Sequence, residues 1–197
     1  CDKHGILLIA DEVITAFGRT GAWTGSRFWG VKPDFMCTAK AISNGYFPFG
    51  AVMISEKVAT AFETSKGPIG SIGHGYTYSA HPLAAAAALA NLQLIEDGGL
   101  IDKAASTGDF LHSQLQAAFA DHPLVGEIRG QKLIGALEFV ADKNPMTRFD
   151  PTLKIAARVV KQARDRGIIT RALPHADTIS FSPPFVISEA EVEGMVS

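Results

Sequence analysis

The sequence predicts an α/β fold in which a large domain with a mostly parallel sheet precedes a small α+β domain. Two continuous apolar runs, residues 6–10 and 35–39, are typical of strands that are buried on both faces of a parallel sheet. The connection between them, residues 11–35, exceeds the roughly twelve residues that a parallel crossover needs. In the second half of the chain, amphipathic helices alternate with short strands. We therefore place the large domain at residues 1–99 and the small domain at residues 100–197.

Each of the two apolar runs ends at an ionisable side chain. The first run stops at Asp11, and the second ends at Lys40. Because ligands bind outside the carboxyl ends of strands in open α/β sheets, we expect this carboxylate and this amine to face one small molecule. A lysine that forms a Schiff base and a carboxylate that pairs with a pyridinium nitrogen are the protein's share of pyridoxal 5'-phosphate chemistry. The two strand ends therefore predict a site for that cofactor.

Local patterns predict the rest of the large domain. Residues 51–54 are a third apolar strand, and Ser55 is the expected N-cap of a short helix. The glycines of loop 65–80 would let the backbone approach a phosphate or a neighbouring subunit, although glycine loops are more often plain turns. Pro82 stands at a first helical position, and residues 83–94 are apolar nearly all round. We expect that helix to be buried on several sides.

The small domain shows ordinary amphipathic patterns. One apolar stripe predicts a long helix after residue 100, and a second begins behind Asp150 and Pro151, a cap followed by a first-turn proline. Ser188 and Glu191 form the capping box of a last helix. The predicted strands of this domain are residues 124–129, 133–140, 168–171 and 178–181.

Composition and charge exclude several classes of function. With 47% hydrophobic residues and a formal net charge of −2 over 197 residues, the chain has no bias toward nucleic acid or anionic membrane. No apolar run reaches the roughly 18 residues of a membrane span. Cys1 and Cys37 offer neither a disulfide framework nor a metal pattern, and we expect Cys37 to be a buried, inert thiol. These features favour a cytoplasmic protein without nucleic-acid, membrane or metal partners.

Several ordered motifs resemble those of one known family. Residues 9–21, 38–45, 74–82 and 182–184 together look like the signature of class III pyridoxal-phosphate aminotransferases, and most like the omega-aminotransferase branch. One local departure is Ala16, where family members more often carry glycine. The resemblance covers nearly the whole chain and implies the fold of type I pyridoxal-phosphate transferases.

The same resemblance implies that the chain is the C-terminal portion of a longer enzyme. Family members are considerably longer, and their N-terminal part supplies the phosphate cradle and an aromatic residue that stacks on the cofactor ring. The sequence opens at what looks like a helix end and closes inside another helix. We therefore expect the chain to be truncated at both ends relative to the family and to be inactive by itself. We also expect the apolar helix over residues 83–94 to lose cover and to expose hydrophobic surface.

The motif residues carry specific expected roles. Lys40 would bind the cofactor as a Schiff base, and its freed amine would move a proton between substrate and cofactor. Asp11 would keep the ring nitrogen protonated. Val13, in an extended chain, would point to the same side as Asp11 and pack against the ring. By resemblance, Thr77 donates its hydroxyl to the phosphate in the partner subunit, which implies a homodimer with a shared active site.

The substrate side departs from its relatives. Where ornithine-type members carry an arginine that binds the α-carboxylate, this sequence has Ser180, and where many omega-aminotransferases place a mobile arginine, it has Glu189. Arg171 matches a position that contacts a substrate carboxylate in the diaminopelargonate branch, although a structural arginine is an equal alternative. We therefore expect uncharged amines and diamines to be preferred as donors.

Three hypotheses of different classes remain open from sequence. The favoured one is a transaminase that moves an amino group from an amine or omega-amino acid to a keto acid such as pyruvate. The second is another reaction on the same scaffold, such as an aminomutase, which needs no keto acid. The third, a noncatalytic fragment or a nucleotide-binding module, is disfavoured because no predicted strand leads into a G-x-G-x-x-G turn.

Overall fold

The computed structural model describes residues 1–67 and 73–197. The part of the predicted glycine loop at residues 68–72 therefore lies outside the described residues. The chain divides into two compact units, Cys1–Ile101 and Asp102–Ser197. We describe each unit by itself.

The first unit contains a three-stranded sheet and its flanking helices. Its strands are β1 (Ile9–Asp11), β2 (Phe35–Thr38) and β3 (Ala51–Ile54), and its helices are α1 (Gly25–Phe28), α2 (Glu56–Thr64) and α3 (Pro82–Asp97). The strand order is β1-β2-β3, with β1 parallel and β3 antiparallel to β2. The three predicted strands and the proline start of α3 are thus confirmed.

One acidic side chain fixes the beginning of this sheet. The Asp34 carboxylate accepts a hydrogen bond of 2.8 Å from the Leu8 N–H, while the Asp34 N–H donates to the Leu8 carbonyl. The Leu8 N–H lowers the pKa of Asp34, with Lys57 adding to the effect. The Asp34 carbonyl in turn accepts from the Ser55 N–H at the end of β3. This residue therefore ties the first strand to the second before the ladder starts and sets its register.

Two expectations about burial in this unit are wrong. Strand β1 was expected to be covered on both faces, yet Ile9 is 63% exposed, so one face of β1 lacks cover among the described residues. Cys37, which was expected to be buried, is only partly buried. Helix α3 was expected to be buried on several sides in the longer protein but to lose cover in this chain, and Leu89 is indeed 69% exposed. Its fully buried positions are Ala84, Ala88 and Ile95, which lie on one face.

The second unit is a helix-packed antiparallel sheet. Its helices are α4 (Leu100–Phe119), α5 (Ile155–Asp165) and α6 (Glu189–Val196). Its strands are β4 (Val125–Gln131), β5 (Ile134–Phe139), β6 (Asp142–Lys143), β7 (Met146–Thr147), β8 (Arg171–Ala172) and β9 (Thr178–Phe181). The main sheet has the order β4-β5-β9-β8, and β6 pairs with β7. The predicted capping box is confirmed: Ser188 accepts from the Glu191 N–H, and Glu191 accepts from the Ser188 N–H.

The core of this unit lies between α4 and the hairpin of β4 and β5. Leu111 and Leu115 of α4 are fully buried and belong to the same apolar cluster as Leu137 of β5. Helix and hairpin meet at Gly108, where an added Cβ would lie 2.2 Å from the carbonyl carbon of Lys132. Glycine is therefore needed there for the helix to pack on the hairpin.

Two boundaries in this unit differ from the predicted ones. Asp150 caps a short 3-10 turn, Pro151–Leu153, in place of the predicted helix. Lys154, with φ 48°, separates that turn from α5. Strand β8 begins at Arg171 rather than at residue 168. Ile169 is 89% exposed. The Thr170 hydroxyl donates to the Ser180 carbonyl, so the residue before β8 contacts β9 through a side-chain hydrogen bond. Across the described residues, no helix is both long and apolar enough to span a membrane.

Candidate active site

The parallel ladder brings Asp11 and Lys40 to one edge of the sheet. Asp11 is the last residue of β1 and pairs with Cys37, the third residue of β2. Strand β2 ends at Thr38, and Lys40 follows it. Since β1 and β2 run in the same direction, both ionisable residues leave the sheet at its carboxyl edge. The predicted placement of the two residues at strand ends is confirmed.

Lys40 is held in an unusual backbone conformation with an exposed side chain. It begins the 3-10 turn Lys40–Ile42 with φ 49°, a region that non-glycine residues seldom adopt. Within the described part of the chain, its Nζ has neither a hydrogen bond nor an ion pair. The amine is therefore available to react, and the cost of its backbone conformation has to be met by neighbouring contacts.

Helix α3 supplies such contacts through an amide that sequence reasoning missed. The Asn91 Nδ2 donates hydrogen bonds to the carbonyls of Ala41 (2.6 Å) and Ile42 (3.3 Å). The buried Ser43 hydroxyl donates to the Phe47 carbonyl at 2.7 Å. Together these bonds fix the turn that carries Lys40. The available signal was an amide within the mainly apolar run of residues 83–94, which also contains Gln93.

The carboxylate of Asp11 is exposed and lightly engaged. Its Oδ1 accepts a hydrogen bond of 3.1 Å from the Val13 N–H, and this is its one partner among residues 1–67 and 73–197. The chain turns at Val13, so the premise that Val13 points to the same side as Asp11 along an extended strand is wrong. The turn brings the Val13 backbone back toward the Asp11 carboxylate instead.

Glu12, between those two residues, is buried and fully engaged. It is 3% exposed, and its Oε1 accepts from both the N–H and the hydroxyl of Ser26, each at 2.5 Å. Its Oε2 accepts from the Gly25 N–H at 2.8 Å and from the Thr15 hydroxyl. A Cβ on Gly25 would lie 3.0 Å from the Trp29 ring and 3.1 Å from Oε2, so glycine allows this close approach. No role for Glu12 was predicted from the sequence.

The electrostatics of this turn follow from burial and hydrogen bonding. Burial by itself would raise the pKa of Glu12, but the hydrogen bonds from Ser26, Thr15 and Gly25 outweigh it and hold the pKa below its ordinary value of 4.5. Burial lowers the pKa of Arg19 in the same turn to about 10, which still leaves it positively charged at neutral pH. Glu12 is therefore a carboxylate at neutral pH.

Thr77 lies in a turn that precedes α3. The turn is closed by the Ser79 N–H, which donates to the Tyr76 carbonyl at 2.9 Å. The Thr77 side chain is exposed, and its hydroxyl makes no hydrogen bond within the described residues. It is thus free to meet an outside acceptor, but the structure records no contact that joins it to Asp11 or Lys40.

Arg171 belongs to the second unit, where it faces a cavity of about 640 Å³. It pairs with Ser180 across the antiparallel ladder of β8 and β9, so the two side chains lie on the same face of that sheet. Both line the cavity, together with Ser182, Pro183 and Glu191. Glu189, which stands where many omega-aminotransferases place a mobile arginine, is not among the lining residues. The acidic residue at this cavity is Glu191, whose carboxylate already accepts bonds from Ser188.

The residues at the sheet edge suit one kind of chemistry. An amine with no competing partner can form a covalent bond to a carbonyl, and a nearby carboxylate can hold a proton on a ring nitrogen. Among residues 1–67 and 73–197, no three His, Cys, Asp or Glu side chains are grouped in a way that could hold a metal ion. The fold and the residues at the sheet edge thus place this chain among the α/β proteins that present a lysine and a carboxylate at strand ends.

Comparison with known sequences identifies the family. The aminotransferase class-III family model matches residues 1–197, and this chain belongs to that family. It is 49% identical over 195 residues to an uncharacterized aminotransferase of Sinorhizobium fredii and 44% identical to the diaminobutyrate–2-oxoglutarate transaminase of Halomonas elongata. It is 40% identical to the putrescine–pyruvate aminotransferase of Pseudomonas aeruginosa. Each alignment covers 99% of this chain but only 41 to 42% of the relative.

Solved structures confirm the predicted fold class. A structure from the directed evolution of transaminases by ancestral reconstruction superposes with a TM-score of 0.96 at 47% identity, covering 99% of this chain and 43% of that one. A PLP-bound amine transaminase from an uncultivated Pseudomonas species gives 0.94 at 45% identity, covering 100% of this chain and 44% of that one. The chain therefore has the fold of a type I pyridoxal-phosphate transferase over less than half the length of its relatives.

Proposed function

We propose that this chain is part of a pyridoxal-phosphate-dependent transaminase, which moves an amino group from an amine or omega-amino acid to a keto acid such as pyruvate. The observation that carries the proposal is the shared carboxyl edge of β1 and β2, where Asp11 leaves the sheet together with Lys40, whose Nζ has no partner among residues 1–67 and 73–197. The family membership and the PLP-bound relative support it. Because the chain spans 42% of its relatives, the activity belongs to the longer protein.

The two edge residues divide the work between covalent binding and proton control. When bound, pyridoxal phosphate supplies a reactive carbonyl and a ring that accepts electrons from the substrate carbon. Lys40 would hold the group covalently through Nζ, and its amine, once free, would take the proton from the substrate carbon. Asp11 holds a proton on the ring nitrogen, since a carboxylate favours the charged form of a neighbouring base.

Two further residues complete the proposed cofactor site. Val13 packs its side chain against the ring, a role supported by its place beside the Asp11 carboxylate rather than by an extended strand. Thr77 donates its free hydroxyl to the phosphate bound by the partner subunit. The functional unit is then a homodimer with a shared active site, and we expect the chain by itself to be inactive.

The substrate proposal rests on the face shared by Arg171 and Ser180. Ser180 has no positive charge with which to bind a substrate carboxylate. Arg171, which pairs with Ser180 across the two strands, has one. Relatives act, by their names, on diaminobutyrate and on putrescine, a donor with a carboxylate and a donor without one. We infer that diamines and uncharged amines are the better donors here, and that Arg171 supports residual use of omega-amino acids.

The proposal is tested on the full-length protein by absorbance and by product analysis. An absorbance band of a lysine-bound cofactor is expected, together with amine consumption that depends on added pyruvate and yields alanine. Isomerised product without any keto acid would instead identify an aminomutase. A protein with neither the band nor turnover would contradict both readings.

A further inference from the structure

The buried carboxylate of Glu12 lies where four parts of the first unit meet. Its backbone N–H donates to the Cys37 carbonyl at 2.9 Å, which extends the ladder of β1 and β2 by one bond. Its carbonyl accepts from the Ala16 N–H at 3.0 Å, which closes the turn after β1. Its side chain reaches Thr15 in that turn and the beginning of α1. Glu12 therefore fixes the backbone on both sides of itself.

Asp11 and Val13 are the residues on those two sides. The Asp11 carboxylate, by contrast, is exposed and accepts one hydrogen bond within the described residues. Its own contacts are therefore too few to hold its direction. The direction of its Cα–Cβ bond is set by the backbone, and that backbone is fixed by the bonds of Glu12.

We propose that Glu12 is a positioning residue that aims Asp11 at the ring nitrogen of the cofactor. It touches neither cofactor nor substrate and acts through its neighbour. The inference rests on the role of Asp11 in the proposed function.

The hydrogen-bond pattern requires a negatively charged carboxylate at residue 12, and the shape of the side chain alone is not enough. Each carboxylate oxygen accepts from one backbone N–H and one hydroxyl: Ser26 N–H and Oγ–H at Oε1, Gly25 N–H and Thr15 Oγ–H at Oε2. Hydroxyls can rotate to accept instead, but a backbone N–H cannot. In Glu12→Gln, the new NH₂ group would face a backbone N–H in either orientation. The isosteric amide should therefore displace α1 or the turn.

A double-mutant cycle on the full-length protein tests the inference. The variants are Asp11→Asn, Glu12→Gln and the two combined, and the readouts are kcat and the pH dependence of the bound cofactor's absorbance. Glu12→Gln alone should lower kcat by about tenfold and shift the pH dependence in the direction of Asp11→Asn; in the Asp11→Asn background it should change kcat by less than about twofold. A purely structural residue would not reproduce that spectroscopic shift.

Two further variants complete the design. Ser26→Ala removes one hydroxyl donor and keeps both backbone donors. It should therefore give a smaller effect, which should also disappear in the Asp11→Asn background. If Glu12→Gln does not fold, Ser26→Ala replaces it in the double-mutant cycle. Asp150→Asn is the matched control, because that carboxylate also accepts the N–H and hydroxyl of one residue, Thr152, but in the second unit. It should leave both readouts unchanged.

The outcomes separate this inference from the proposed function. Equal effects of Glu12→Gln in both backgrounds, or no effect at all, would overturn the positioning role. An Asp11→Asn variant with unchanged kcat and pH dependence would instead remove the proposed role of Asp11, and the inference with it.

Discussion

Asp11 pairs with Cys37 across the parallel ladder of β1 and β2. The carboxylate at the end of β1 therefore lies beside the end of β2, the strand that Lys40 follows. This register is fixed at the other end of the sheet by Asp34 and Leu8. The pairing of β1 and β2 thus brings the acid and the amine to the same edge of the sheet.

Replacing Asp11 by asparagine should leave cofactor binding intact and slow turnover. The amide keeps the side chain's shape, but it cannot hold the ring nitrogen in its protonated form. We expect kcat to fall by at least about a hundredfold, the scale of a well-placed acid–base group. Steady-state kinetics with spectroscopic confirmation of bound cofactor is the measurement. Near-normal turnover in a loaded Asp11→Asn protein would show that Asp11 is not the pyridine partner.

Removing the amide of Asn91 should loosen the turn that carries Lys40. Asn91→Leu preserves the approximate volume but leaves the Ala41 and Ile42 carbonyls without this donor, and Ile42 is buried. An unsatisfied buried carbonyl costs about 1–3 kcal/mol, which should lower the melting temperature and kcat.

Gln93→Leu on the same helix is the control for this prediction. Gln93 is exposed and bonds only to Asp97 four residues on, so its loss should change little. Equal melting temperatures and equal kcat values for Asn91→Leu and Gln93→Leu would refute the assignment of Asn91.

The depressed pKa of Glu12 predicts a specific pH dependence of stability. Because the folded-state pKa lies below 4.5, the carboxylate stabilises the fold fully above pH 4.5, and this stabilisation is lost as pH falls through the folded-state value. The difference in melting temperature between the full-length protein and its Glu12→Gln variant should therefore be constant at neutral pH and shrink in acid. A difference that stays the same down to roughly pH 3 would mean that Glu12 is not ionised in the fold.

Substrate choice should depend on the pair Arg171 and Ser180. An amino donor with a carboxylate loses about 1.5–3 kcal/mol of binding free energy when that carboxylate has no charge-assisted contact. This corresponds to a preference of about tenfold or more for an uncharged amine. The measurement is kcat/KM for an uncharged amine against β-alanine and ornithine in the full-length protein. A clear preference for either amino acid would overturn the prediction, and its loss in Arg171→Ala would identify the residue responsible.

Sequence reasoning succeeded where local patterns decide the structure. The ends of the apolar runs placed Asp11 and Lys40 correctly, because an abrupt change from apolar to ionisable residues marks a strand end wherever the strand packs. Pro82 and the capping box of Ser188 were equally local signals, and both are confirmed.

It failed where the outcome depends on packing between distant segments. The exposure of Ile9 could not be foreseen, since an apolar sequence does not say which partner covers it. The turn at Val13 is imposed by Glu12, whose partners Gly25 and Ser26 lie more than ten residues away in sequence. Asn91 was missed for the same reason: its acceptors, Ala41 and Ile42, are about fifty residues away.

The most direct test of the whole account is the position of the covalent bond to the cofactor. The full-length protein, loaded with pyridoxal phosphate, is reduced with borohydride and digested, and the modified peptide is mapped by mass spectrometry. We expect the reduced cofactor on Lys40 and none in a Lys40→Ala variant. Modification of Lys57 or Lys66 in place of Lys40 would contradict the account.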